Sequence, residues 1–199
     1  MTIVPQTLPR MSWADLRPRV EAAGLDVAAN PFIIAGVRGY YRQSMGPTGG
    51  NDRGIYDDAL FIVSPAVFAA FNANTDPSIR RPGQGTGAGK GIATLQPGLW
   101  QVHRFDNHRT SKSNYPAICQ RAGPVTVLRD GTNGTYLDSG MFGINIHRGS
   151  WNGTSSEGCQ TIYPSQWDSF MATARDQARR FHGSNWQSRV IPYVLLEEV

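Results

Sequence analysis

Apolar residues recur in two rhythms along this chain. Near the C-terminal side, Trp167, Phe170, Met171, Ala174, Ala178 and Phe181 stand three, four and seven apart. That period predicts an amphipathic helix starting at Ser165, with Asp168 at its third position and Arg179, Arg180 and Gly183 forming its end. A shorter helix is predicted from a capping box, Ser12-Trp13-Ala14-Asp15, running to Ala23 before Gly24 stops it. Between the helices the apolar runs shorten to strand length: residues 32–42, 59–63, 99–105, 125–129, 141–147 and 160–163, with 189–196 closing the chain. Turn pairs such as Asp130-Gly131 and Asn133-Gly134 separate several of them, which favours antiparallel meanders over βαβ units. The pattern predicts one β-rich α+β domain over residues 1–199, with a few flanking helices and no internal repeat. Glycine-rich stretches at 46–54 and 82–91 are predicted to be mobile surface loops. The second contains Gly89-Lys90 but is no phosphate loop, since Gln84 stands where the first glycine belongs and Gly91 follows the lysine.

Composition narrows the class. With 199 residues, 40% apolar, 22 Gly and 13 Pro, the chain suits one globular domain and is no low-complexity polymer. No apolar run approaches the roughly 20 residues of a membrane span, and the first ten residues lack a cationic start followed by a hydrophobic block. The expectation is a soluble protein, without a membrane span, made in the cytoplasm without a Sec signal. The net charge of +4 favours an anionic partner. Lysine occurs only at Lys90 and Lys112, so the cations are mostly arginines. They are spread out, with no run longer than Arg80-Arg81 or Arg179-Arg180, which argues against nucleic acid and leaves an anionic polymer such as cell wall.

Chemistry concentrates in two segments, 143–149 and 154–162. If 141–147 is a strand, period two puts Phe142, Ile144 and Ile146 on one face and Asn145 and His147 on the other. Cys159 follows a glycine at the end of a small polar loop, where a sharp turn can expose its sulfur and free backbone N–H groups for a developing oxyanion. A thiol of pKa about 8.5 is only a few per cent ionised at neutral pH, so it needs a base or cation beside it. His147, twelve positions upstream, is the natural candidate. The plainer readings are a buried hydrophobic thiol at Cys159 and a hydroxyl that merely orders its turn at Ser156. Cys119 sits in an apolar setting and reads as core, with a bridge to Cys159 the lesser alternative.

Other groups carry weaker signals. His103 and His108, with Cys119 or Asp106, lack the spacing of recognised zinc sites and read as a solvated strand end, a zinc peptidase being the fallback. His182 is expected to meet the C-terminal dipole of the second helix. Trp100, Trp151, Trp167, Tyr40, Tyr41 and Tyr163 are mostly core, but Trp151 lies between His147 and Cys159 and is a candidate for substrate contact. Asp52, Asp57 and Asp58 offer carboxylates to a glycosidase, without a second acid at a defined separation.

The run Gly143-Ile144-Asn145-Ile146-His147-Arg148-Gly149, then Ser156-Glu157-Gly158-Cys159, resembles the catalytic motif of L,D-transpeptidases of the YkuD type. Residues 93–102, Ala-Thr-Leu-Gln-Pro-Gly-Leu-Trp-Gln-Val, are similar to the hairpin that precedes the catalytic strand in that family. The resemblance covers roughly residues 90–163, leaving 1–75 unmatched and 165–199 as helix plus terminal strand. It implies antiparallel sheets or a sandwich of the L,D-transpeptidase catalytic type, acting on peptidoglycan stem peptides without a cofactor or metal. Cys159 would be nucleophile, His147 general base, Ser156 a supporting hydroxyl, and Gly158 with Cys159 the oxyanion donors. Asn145, Arg148, Trp151 and Thr161 would contact substrate. Three departures are that the interval from His147 to Cys159 is shorter than usual in the family, that Glu157 replaces the usual histidine, and that Thr161 stands where an arginine usually follows, a role Arg148 would assume. A chain without an export signal would reach the wall in the periplasm after lysis or delivery, as an endolysin of a bacteriophage or an effector does, so hydrolysis is expected over transpeptidation. The rival expectation is a non-catalytic wall-binding or structural phage component.

Overall fold

The computed structural model describes residues 2–47, 51–85 and 89–197. Eight strands close into a barrel: β1 (Ile33–Arg38), β11 (Ile191–Glu197), β5 (Gly98–Arg109), β6 (Asn114–Gln120), β9 (Ile146–Arg148), β10 (Gln160–Ile162), β3 (Val67–Asn74) and β2 (Asp58–Ser64), in that order around it. Three more, β4 (Ala93–Leu95), β7 (Val125–Gly131) and β8 (Gly134–Gly140), make a separate sheet with β7 in the middle. Two helices complete the β-rich α+β architecture, α1 (Trp13–Ala22) and α2 (Trp167–His182).

Local sequence explains the helices. Ser12 and Asp15 satisfy each other's backbone N–H groups in a complete capping box, and α1 buries Leu16 and Val20 against Ile33, Val37 and Val194. The predicted start of α2 at Ser165 is corrected by two residues, because Pro164 opens a 3₁₀ turn that hands over to the α-helix at Trp167. Its apolar stripe, Trp167, Phe170, Met171, Ala174 and Ala178, lies on the barrel core, with Phe170 edge-on to Phe71 at 5.2 Å.

The sheets depart from simple meanders in two places. β1 pairs with β11 and β9 with β10 in parallel, and all other pairings are antiparallel. β1 ends at Arg38 instead of residue 42, since Gly39 turns at φ +70° and gives its N–H to the Asp58 carboxylate. The predicted strand over 141–147 shrinks to the three residues of β9. The physical reason is one side chain. Buried Gln120 collects the N–H groups of Phe142, Gly143 and Ile144 on its Oε1 at 3.2, 2.9 and 3.0 Å, doing for that segment what a neighbouring strand would have done. β3, β4, β6 and β8 lie outside the predicted runs. Of the two glycine-rich stretches, residues 48–50 and 86–88 lie outside the described residues.

Two arginines fasten the small sheet to the barrel. Buried Arg38 pairs with Asp76 at 3.3 Å and donates to the carbonyls of Thr75 at 2.9 Å and Leu95 at 3.0 Å. Arg53 grips both oxygens of Asp130 on β7 and reaches Thr94 on β4. Asp57 and Asp58, at the start of β2, are fully buried. Asp58 accepts from Gly39 and Thr75, and Asp57 from the Asp52 backbone. Burial pushes the Asp57 carboxyl up to about 7 and Asp58 well above the usual range. These carboxylates are structural partners inside the fold, so the glycosidase reading has no open pair of acids here.

Candidate active site

The site is built where β9 and β10 run side by side. Ile146 faces Gln160 and His147 faces Thr161 in the parallel register, and the Gln160 N–H bonds the Asn145 carbonyl at 2.8 Å. Ile146 and Ile162 belong to the barrel core. The alternate residues Asn145, His147 and Cys159 open instead on a cavity of about 600 Å³ that also takes in His108, Phe142, Gly143, Ser155, Glu157, Ala93 and three arginines.

The loop between the two strands is held from below. Tyr56, buried, donates to the Ser150 carbonyl at 2.8 Å and accepts from its N–H at 2.9 Å. Ser78 bonds Ser156 through both backbone groups, its N–H to the Ser156 carbonyl and its Oγ from the Ser156 N–H, each at 2.7 Å. Ser155 adopts φ +55°, the one non-glycine in the left-handed region among the described residues. Gly158 is obligatory: at φ +138° it presses on β4, and a Cβ there would stand 2.3 Å from the Ala93 carbonyl oxygen. The Ser156 hydroxyl donates to the Cys159 carbonyl at 2.7 Å and accepts from the Gly158 N–H at 3.0 Å. Gly158 N–H is therefore already bonded, a correction to its expected role as an oxyanion donor. The Cys159 N–H has no protein partner among the described residues.

The thiol and the imidazole rest uncharged. Cys159 Sγ donates to the Gly143 carbonyl at 3.3 Å and accepts from the Asn145 N–H at 3.4 Å, while burial pushes its pKa up to about 11. His147 Nδ1 lies 2.8 Å from the Arg148 carbonyl, which can only accept, so the proton sits on Nδ1 and Nε2 is left as a base. Burial, then the neighbouring His108, hold the His147 pKa down to about 3. Alkylation of Cys159 by iodoacetamide, followed by peptide mass mapping, is accordingly expected to be slow at pH 7 and to rise about tenfold per pH unit towards pH 10. A rate already at its maximum at pH 7 would reveal a standing thiolate.

Other predicted contacts lie elsewhere. The Arg148 guanidinium sits over the Tyr115 ring at 5.3 Å and does not line the cavity. Trp151 is exposed and edge-on to Tyr163 at 5.4 Å, also outside it. Thr161 is fully buried, with no partner for its hydroxyl among the described residues. Tyr40 accepts from the Arg10 and Met11 N–H groups, while Tyr41 donates to the Thr7 carbonyl and lines a separate cavity of about 450 Å³. Cys119 is buried core and unbridged. His182 ends α2, yet burial and then Arg189 lower its pKa, against the sign a helix dipole alone would give.

The histidine pair separates. His103 is enclosed in the barrel, its Nε2 2.9 Å from the Ile144 carbonyl, and burial holds it near pKa 4. No group of three or more His, Cys, Asp or Glu among the described residues is placed to hold a metal ion. His108, read from sequence as a solvated strand end, is half-buried and stacks face to face on His147, centroids 4.1 Å apart. Sequence reasoning also missed Arg109, Arg121 and Arg129 on the cavity wall. The one available signal was the polar run Asp106-Asn107-His108-Arg109 following a strand predicted to stop at Phe105.

No family model, curated protein or solved structure matches the chain.

Proposed function

We propose that this chain is a cysteine-dependent acyl-transfer enzyme of the L,D-transpeptidase (YkuD-type) kind, which acts on peptidoglycan stem peptides and hands the acyl group to water in preference to an amine. In this reading it meets the wall after lysis or delivery. The observation that carries it is the opening of Cys159 and His147 on one cavity, with the imidazole anchored through Nδ1 so that Nε2 is the free base.

The chemistry follows from a neutral pair. As the sulfur attacks the peptide carbonyl, its proton leaves the Gly143 carbonyl for His147 Nε2, so charge develops only with substrate in place. The Cys159 N–H is the backbone donor available to the oxyanion. Collapse breaks the C–N bond, and the departing amine takes the proton from His147, leaving a thioester. Water, deprotonated by the same nitrogen, adds to the thioester carbonyl, and the thiol departs with a proton returned. Arg121 and Arg129 on the cavity wall are paired with Asp106 at 2.6 Å and Asp138 at 3.2 Å, and Arg109 beside them is the arginine set to meet a carboxylate of a stem peptide.

Mass spectrometry of monomeric and crosslinked muropeptides incubated with the protein tests this. The expected result is loss of a terminal residue or of a crosslink. A new bond would replace hydrolysis by transpeptidation. Unchanged masses with folded protein would overturn the proposal. The rival, a wall-binding component without turnover, draws on the protonated, hydrogen-bonded resting sulfur and predicts unchanged masses with cosedimentation on intact sacculi.

A further inference from the structure

We propose that Asn145 is a proton lock: it fixes His108 as the neutral Nε2–H tautomer, so that the stacked His108–His147 pair takes up its one catalytic proton on His147. This rests on the acyl-transfer reading for its use, and on hydrogen-bond geometry for its existence.

The orientation of the Asn145 amide is decided by a backbone group. Its Oδ1 accepts from the Gln120 N–H at 3.0 Å, and a backbone N–H can only donate. The Nδ2 of the same amide therefore faces His108 Nδ1, 3.0 Å away. An amide NH₂ donates and does not accept, so His108 Nδ1 carries a lone pair and the proton of that ring is on Nε2. Protonating His108 would set N–H against N–H. His147 is constrained in the opposite sense, its Nδ1–H spent on the Arg148 carbonyl and its Nε2 open. Two imidazoles 4.1 Å apart, tilted by only 12°, thus offer one productive lone pair between them.

The lock matters because a cation on His108 would lie against the imidazolium that His147 becomes during attack. Of the groups facing His108, an arginine acts in the same direction. Tyr115 of β6 stands 5.6 Å away, neutral. Arg121, after β6, depresses the His108 pKa, second to burial. Arg109 of β5 and, across the cavity, Cys159 and Glu157 complete the surroundings. The carboxylates nearby are Asp106 of β5, paired with Arg121 at 2.6 Å, and Glu157, which is exposed and 3.9 Å from Arg81.

Asn145→Asp tests the lock, since the side chain keeps its shape and its acceptor for Gln120 but turns an oxygen towards His108. Imidazole proton NMR across pH 4–9, with the His108 signal identified by its loss in His108→Phe, is the first readout. In the parent His108 is expected to titrate below the ordinary histidine value of about 6.5. In Asn145→Asp its midpoint should rise by about two units, as an opposite charge in contact produces. The second readout is the acid limb of kcat/KM on muropeptides, expected to move up by a similar amount in Asn145→Asp and to return in Asn145→Asp/His108→Phe. An ordinary His108 titration in the parent, or a double variant that keeps the displaced limb, overturns the proposal. If Asn145→Asp does not fold, Asn145→Leu removes the donor, and the His108 midpoint should then rise by about one unit. The spectra need no turnover, so an inactive protein would defeat the acyl-transfer reading while the lock is still judged on its titration.

Discussion

Cys159→Ala is expected to leave every muropeptide mass unchanged under conditions where the parent converts them, and His147→Gln to lower kcat/KM about 10³-fold, the range in which a positioned base contributes. The two variants fail for different reasons. Alanine removes the only atom that can form the thioester. Glutamine can still donate to the Arg148 carbonyl and fill the space beside His108, but it has no lone pair of comparable basicity for the thiol proton. Raising the pH should therefore recover part of the rate in His147→Gln, because solvent then ionises Cys159 from its pKa of about 11, and none in Cys159→Ala. A His147→Gln protein with parental kcat/KM at neutral pH would assign the base elsewhere on the cavity wall.

Arg38→Met is expected to cost about 3–5 kcal/mol, the range for removing one partner of a buried ion pair. With the urea dependence usual for small domains, that lowers the midpoint by about 2 M. The loss is large because the guanidinium serves several groups at once: Asp76, the Thr75 hydroxyl and carbonyl, and the Leu95 carbonyl, all with Arg38 only 4% exposed. Removing it leaves the buried Asp76 carboxylate with the Asn51 amide in place of a cation, and takes the arginine donor from two enclosed carbonyls. Arg53→Met, with a more exposed side chain, should cost less even though Arg53 makes a two-pronged bond to Asp130. Equal losses would mean that burial does not set the scale. The buried acids at the start of β2 add a pH term. Folded Asp57 keeps its proton to about 7, against 3.8 unperturbed, so between those values the folded state binds more protons than the unfolded and stability falls as pH rises.

What the sequence discloses is what neighbours in sequence decide. The capping box of α1 is closed within four residues, and the stripe of α2 needs only its own period. That His147 and Cys159 would stand near one another is also a local matter, since a short loop and a glycine join β9 to β10, and both line one cavity. His108 was not. It reaches His147 only after β5 turns back into β6 and β6 sets Ile118 opposite Ile146, a register that no local pattern announces. Gln120 shows the same limit from another side. Its three backbone bonds are what end the strand predicted over 141–147, and they come from a residue more than twenty positions upstream. The arginines of the cavity likewise arrive on separate strands and loops, so their convergence is a property of topology.

The place of β11 bears on how the chain is made. β11 lies between β1 and β5, in parallel with the first and antiparallel to the second. A ribosome delivers β1 and β5 long before their common neighbour, and until then both present unpaired backbone edges. The emerging barrel is an open sheet, with Ile34 and Val102 of its core waiting for Tyr193 and Leu195. Such late, distant pairing slows folding and exposes sticky intermediates. Synthesis at low temperature, or with chaperones that shield strand edges, should raise the soluble yield.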